Sequence, residues 1–251
     1  MKEPVKKNPV KTDPIKPMEN IKVAARGQGW LCIEKPAGIS VHNEPGHDIL
    51  SLLAAQLFPP GVSRSLLQPV HRLDKETSGL LLLATNPEML THLSALFAKG
   101  EVQKKYLALV HGTFDMEKET VFVWDTPLSK EAGGRNNPAG KGKKVTAITQ
   151  YKLLEQTPHY ALLEIELFTG RKHQIRRHAK LAGHPITGDS RYGSLRSIQF
   201  LKENCNYHRL GLHAFHLSFQ AALPNCQSPS PIVVTSDIIP SEIKTLLQQD
   251  L

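Results

Sequence analysis

The sequence predicts an α+β fold, a mixed and mostly antiparallel sheet with flanking helices. Two observations carry this. Segments with strand character outnumber those with helical periodicity, and the two kinds are interspersed without regular alternation. One strand-like segment is a continuous apolar run, as in a strand covered on both faces, while another alternates strictly, as in a strand covered on one.

Residues 1–20 carry Pro4, Pro9, Pro14 and Pro17 among lysines and have almost nothing to bury, so they are expected to be a disordered tail. The folded part begins near Ile21, and no boundary divides 21–251. A short strand over 30–34 is stopped by Pro36 and Gly38. Asp48 is placed to N-cap a helix through Phe58, with Leu50, Leu53, Ala54 and Leu57 as its apolar stripe. The run 79–85 is too short and too apolar for a surface helix and predicts a strand buried on both faces. Asn86 and Pro87 start the next helix, Leu90, Leu93, Leu96 and Phe97 face inward, and Gly100 closes it. A strand follows over 102–111. Residues 129–144 are rich in Gly, Asn, Pro and Lys and predict a mobile loop. Strands are expected over 120–124, 145–155 and 160–168; in the last, Leu163, Ile165 and Leu167 alternate with Glu164 and Glu166. Thr169-Gly170 turns the chain into a helix over 172–182, closed by Gly183. Strands near 210–219 and 232–235 and a helix capped by Ser241 complete the chain.

Composition narrows the function classes. Apolar residues make up 40% of the 251 and aromatics only 6%, so the core leans on aliphatic side chains. No run reaches the roughly 18 apolar residues that cross a bilayer, and the N-terminal region lacks the apolar segment of a secretory signal. Cys32, Cys205 and Cys226 are widely spaced, which argues against a disulfide framework or structural zinc and favours a reducing cytoplasm. The H-E-x-x-H, Walker, G-x-G-x-x-G and G-x-S-x-G patterns are all absent. The net charge is +8, and 169–196 alone holds Arg171, Lys172, Arg176, Arg177, Lys180, Arg191 and Arg196 against the single acid Asp189. Such clustering is the footprint of a polyanion binder, or else of a solvated basic face.

Three segments could carry chemistry. His71-Arg72-Leu73-Asp74-Lys75-Glu76-Thr77-Ser78-Gly79 puts a carboxylate at the edge of the most apolar strand, where a cationic neighbour would keep it ionised. Its alternative is a polar turn with a structural Asp74. Lys104, Tyr106 and Ala108 share one strand face, and the tyrosine is either a stacking surface for a base or an ordinary packed ring. Thr169-Gly170-Arg171-Lys172-His173-Gln174-Ile175-Arg176-Arg177-His178 combines a helix start with cations, an arrangement that attracts phosphate.

In this order, the blocks H-R-L-D-K-E-T-S-G, K-K-Y-L-A-L-V-H-G and T-G-R-K-H-Q-I-R-R-H, with G-H-P-I-T-G-D-S-R-Y-G and Leu212-His213-Ala214, resemble the RluA-type RNA pseudouridine synthases. The resemblance spans about 28–235. It implies a cofactor-free enzyme in which Asp74, Tyr106 and Arg176 are the catalytic residues. Arg72 would hold the flipped nucleotide or fill its place, and Arg171, Lys172, His173, Arg177 and Arg191 would contact RNA. The R-K-H-Q-I-R-R-H variant looks closest to the TruC-like branch, which implies tRNA as substrate, with large-subunit rRNA as the rival. No S4 domain is expected before Ile21, so RNA selection would rest on the catalytic domain of a monomer, aided by the 129–144 loop and the tail. Three other readings predict different chemistry. A glycosidase would pair Asp74 with Glu164 or Glu166. A ribonuclease would use His173 and His178. A binding protein would need none of these residues to react.

Overall fold

The computed structural model describes residues 20–59, 64–115, 117, 120–220 and 231–251. The expected tail therefore falls, but for Asn20, outside the described residues, as does Cys226. In chain order the elements are β1 (Val23–Gly27), β2 (Trp30–Lys35), α1 (Ile49–Leu57), β3 (Gln68–Pro69), β4 (Ser78–Ala84), α2 (Pro87–Lys99), β5 (Gln103–His111) and β6 (Val121–Trp124). Then come β7 (Leu128–Ser129), β8 (Lys144–Val145), β9 (Thr149–Gln156), β10 (Tyr160–Leu167), α3 (Gln174–Leu181), α4 (Leu195–Cys205), β11 (Leu212–Gln220), β12 (Pro231–Thr235) and α5 (Ser241–Gln249).

The main sheet runs β1-β2-β4-β11-β5-β10-β9-β6, with β12 added to β11 and β3 to β4. Every pairing in it is antiparallel except β4 with β11. The fold is thus α+β with a mixed, mostly antiparallel sheet, as the sequence predicts.

The four-leucine run lies at the centre. Leu81 and Leu83 enter the cluster packed on α1 and α3, while Leu80 and Leu82 enter the cluster packed on α2. All four are fully buried, which is why the segment shows no alternation. Asp48 caps α1 through its side chain, Asn86 caps α2 with Pro87 in the first turn, and Gly100 closes α2 in the left-handed conformation.

Several expectations fail for identifiable reasons. Leu57 is exposed, and Ile49 takes its place in the buried stripe of α1. Ser241 is the first residue of α5 rather than its cap. The helix expected over 172–182 starts at Gln174, because His173 sits in the left-handed region at φ 54°. Helix α4 has no counterpart in the sequence reading, since only Leu201 of it is buried and no apolar stripe announces it.

The 129–144 loop is anchored rather than free. Its ends pair as β7 and β8. Ser129 N donates to Ala139 O, and Arg135 donates to the carbonyls of Gly193 and Ser190. Arg191 returns the contact to Gly133 and Ala132.

One glycine is demanded by close approach. Gly79, the second residue of β4, has φ 109°, and a Cβ there would lie 2.1 Å from Ala214 O of β11. Both the conformation and the contact reject a side chain. Gly79→Ala is expected to cost more than about 3 kcal/mol, read as a fall in urea midpoint with unchanged slope; an unchanged midpoint would show that the β4–β11 contact yields freely.

Candidate active site

Asp74 lies in the turn between β3 and β4, Tyr106 on central β5, and Arg176 on α3. All three line one cavity of about 620 Å³. Arg176 is 1% exposed. Its Nε and Nη2 donate to the two oxygens of Asp189 at 2.8 and 2.9 Å, and its Nη1 reaches Asp74 Oδ2 at 3.2 Å and Glu76 Oε2 at 3.3 Å. Burial opposes the charge, but Asp189, Asp74 and Glu76 outweigh it and hold the guanidinium above its ordinary pKa. Asp189 is itself fixed by the backbone N–H groups of Arg191 and Tyr192, both at 2.9 Å from Oδ1.

His173 Nε2 lies 3.7 Å from Asp74 Oδ1, and its Nδ1 is hydrogen-bonded to Tyr192 Oη at 3.0 Å. Burial lowers the imidazole pKa; Asp74 pulls the other way, and Arg176, Arg191 and Lys172 add to burial. His173 is therefore neutral at neutral pH. Tyr106 is buried, on the strand that pairs with β11 at Ala214 and with β10 at Ile165. Burial, then the charge of Asp74, raises its hydroxyl pKa, so the phenol stays protonated.

The turn bearing Asp74 is clamped from behind by Lys35, which the sequence reading missed. Its buried ammonium donates to Pro36 O, Ile39 O and Lys75 O at 2.8, 2.8 and 3.1 Å. Burial pushes this ammonium down to about 7, with Asp74 and Glu76 pulling it back. The three carbonyl acceptors suit the charged form, so we assign Lys35 as an ammonium. His71, quoted in its segment without a role of its own, stacks its ring on Phe97, and its Nε2 accepts from Leu82 N at 2.9 Å. Burial lowers it to about 3, matching a neutral acceptor. Asp189 did leave a signal, as the single acid in a stretch with seven cations.

The expected RNA-contacting residues divide. Arg72, Arg171, Lys172 and Arg191 are exposed on the rim of the cavity or the adjoining cleft. Arg177 is a correction. It is fully buried, and its guanidinium donates to the carbonyls of Pro138, Ser129, Lys172 and Ala139 and to Ser129 Oγ. Every nitrogen is occupied, so it anchors the 129–144 loop and has none left for phosphate. Arg196 lies at a different cavity, beside Ser197 and Phe200.

The rival catalytic pairs are not assembled. Glu164 faces Lys105 and Lys152 at 3.0 and 3.7 Å and does not line the cavity of Asp74. His178 is buried against Thr149 and Thr126, away from the cavity that His173 lines. Among the described residues no His, Cys, Asp and Glu group could hold a metal ion.

A family model described as RNA pseudouridylate synthase matches residues 29–181. The chain belongs to the RNA pseudouridine synthases, a family of enzymes that isomerise uridine. It is 36% identical over 202 residues to the tRNA pseudouridine synthase C of Haemophilus ducreyi, covering 77% of this chain and 83% of that one. It is 37% identical over 192 residues to the ribosomal large subunit pseudouridine synthase C of Vibrio vulnificus, covering 75% of this chain but 58% of the relative. In fold it is similar to human RNA pseudouridylate synthase domain containing 4, with TM-score 0.65, 27% identity and coverage of 90% and 91%. It is also similar to human RNA pseudouridylate synthase domain containing 1, with TM-score 0.69, 21% identity and coverage of 92% and 90%.

The Arg176–Asp189 pair is buried on both sides. Asp189→Asn leaves the guanidinium short of a charge partner and is expected to cost about 3–5 kcal/mol in denaturant unfolding. A loss below about 0.5 kcal/mol, the range of an ordinary surface change, would show that Asp74 and Glu76 hold the arginine without it.

Proposed function

We propose that this protein converts a uridine in structured RNA to pseudouridine, with tRNA as the favoured substrate and large-subunit rRNA as the rival. The observation that carries the reading is the carboxylate of Asp74 held 3.2 Å from a buried arginine on a cavity floored by Tyr106. The reaction breaks the N1–C1′ bond, turns the uracil and joins C5 to C1′; the C5 proton leaves and N1 gains one, so no atom is added overall.

Asp74 acts as the ionised group, attacking the sugar or removing a sugar proton. Arg176 sets a permanent cation 3.2 Å from that carboxylate. Tyr106 gives the uracil a face to stack on while it turns. Tyr106, which lines the same cavity, also assists loss of the C5 proton. The apolar part of the wall, with Leu73, Ile175 and Leu212, limits water at the detached base. A uridine inside a helix cannot reach Asp74, so it must be flipped out at a cost of a few kcal/mol. The exposed cations Arg72, Arg171, Lys172 and Arg191 would hold the backbone meanwhile. No described helix is long and apolar enough to cross a membrane.

Pseudouridines mapped by carbodiimide labelling in tRNA and rRNA test this reading. Cells lacking the gene should lose at least one site. Wild type should restore it, and Asp74→Asn should not. Equal restoration by Asp74→Asn would remove the carboxylate from the chemistry. No change at any site in either RNA pool would leave RNA binding without catalysis.

A further inference from the structure

A second cleft, of about 760 Å³, adjoins the catalytic cavity at the Asp74 turn. It shares Arg72, Asp74, Arg171, His173 and Arg176 with the catalytic cavity, so ligands in the two would be neighbours. One wall presents Arg171, Lys172 and Arg191, and the other is the β2–α1 loop at Ser40, His42 and Asn43. The chemistry at Asp74 uses none of these three loop residues.

Two features mark that loop. Three non-glycine residues among those described have positive φ: Asn43, His173 and Asn206. Asn206 is the C-cap of α4, where the conformation is ordinary. Asn43, at 91°, and His173 both line this cleft. Asparagine is well suited to that region, so Asn43 makes the bend and lies along the cleft. Ser40 Oγ and His42 Nδ1 are also two of the three buried side-chain polar atoms without a partner among the described residues. A buried polar atom in that condition is unfavourable until something bonds it.

The loop is nonetheless fixed. Ile49 N donates to Ser40 O and Leu50 N to Val41 O, while Asp48 Oδ2 accepts from Glu44 N. Lys75 Nζ reaches Glu44 Oε1 at 2.6 Å and ties the loop to the Asp74 turn. It therefore holds Ser40, His42 and Asn43 along the cleft on a fixed frame.

We propose that this cleft holds a nucleotide flanking the target uridine, with Ser40, His42 and Asn43 reading its base and Arg171, Lys172 and Arg191 holding its phosphate. The inference rests on the synthase reading and extends it to site choice. The catalytic cavity meets uracil at every candidate site, so it cannot choose among uridines. An unstacked neighbouring base exposes the edge that amide, imidazole and hydroxyl groups can read.

The test uses short transcripts carrying the mapped uridine, with each of the four bases placed in turn at its 5′ and then its 3′ flank. Single-turnover pseudouridine formation is compared for wild type, His42→Ala and Asn43→Gly. Glycine accepts the Asn43 backbone without strain, so Asn43→Gly removes the amide and keeps the loop. Wild type should prefer one base at one flank by roughly tenfold, the equivalent of one hydrogen bond to a base edge. Both variants should bring that ratio towards one. A preference unchanged in both variants, or absent in wild type, would overturn the proposal while leaving the synthase reading intact. Wild type inert on every transcript would overturn the synthase reading, and this one with it.

Discussion

Arg176 is a cation with almost no access to water, and its burial sets the geometry of everything around it. A guanidinium in that position needs an acceptor for each face of its fork. Asp189 takes one face with both oxygens, and Asp74 and Glu76 share the remaining nitrogen. Helix α3, the loop after it and the turn before β4 are therefore held together by one side chain. The position of Asp74 follows from satisfying a buried charge. Because that charge is permanent, the carboxylate keeps its cation at any pH where the protein folds.

The sheet supplies the second half of the constraint. Strand β4 carries its four buried leucines between two clusters and cannot shift without emptying one of them. Its N-terminal end is pressed against β11 at Gly79, and the turn before it is clamped through Lys75 O by Lys35. The Asp74 turn thus hangs between a dry strand on one side and a buried arginine on the other. Tyr106 rises from β5, which pairs with β11, so its distance to Asp74 is set by the same ladder.

What the sequence made legible was whatever depends on local chemistry. The caps at Asp48 and Asn86, the αL closure at Gly100, the leucine run and the alternation around Glu164 all follow from neighbouring residues. Spatial pairings were not legible in this way. Arg176 and Arg177 are identical and adjacent, yet one points to the Asp74 turn and the other to the 129–144 loop. Only the packed helix distinguishes them. The lysine- and glycine-rich loop had the composition of a mobile segment, because the arginines that anchor it lie some 50 residues further along the chain. Lys35 was equally silent, since three carbonyls from two separate segments make its site. The three residues of the site were nominated by motif resemblance, and Asp189, which organises them, was noted only as a charge.

The central claim is that the forked geometry of Arg176, beyond its charge, joins the fold to the Asp74 carboxylate. Arg176→Lys tests it most directly, because lysine keeps the charge and loses the fork. The measurement is single-turnover pseudouridine formation on RNA from cells lacking the gene, with unfolding followed in parallel. The account predicts a loss of about 100-fold or more in rate, since small misplacements of a reacting group carry penalties of that order, together with a lower denaturation midpoint. Wild-type rate and stability in Arg176→Lys would contradict it and reduce Arg176 to a point charge.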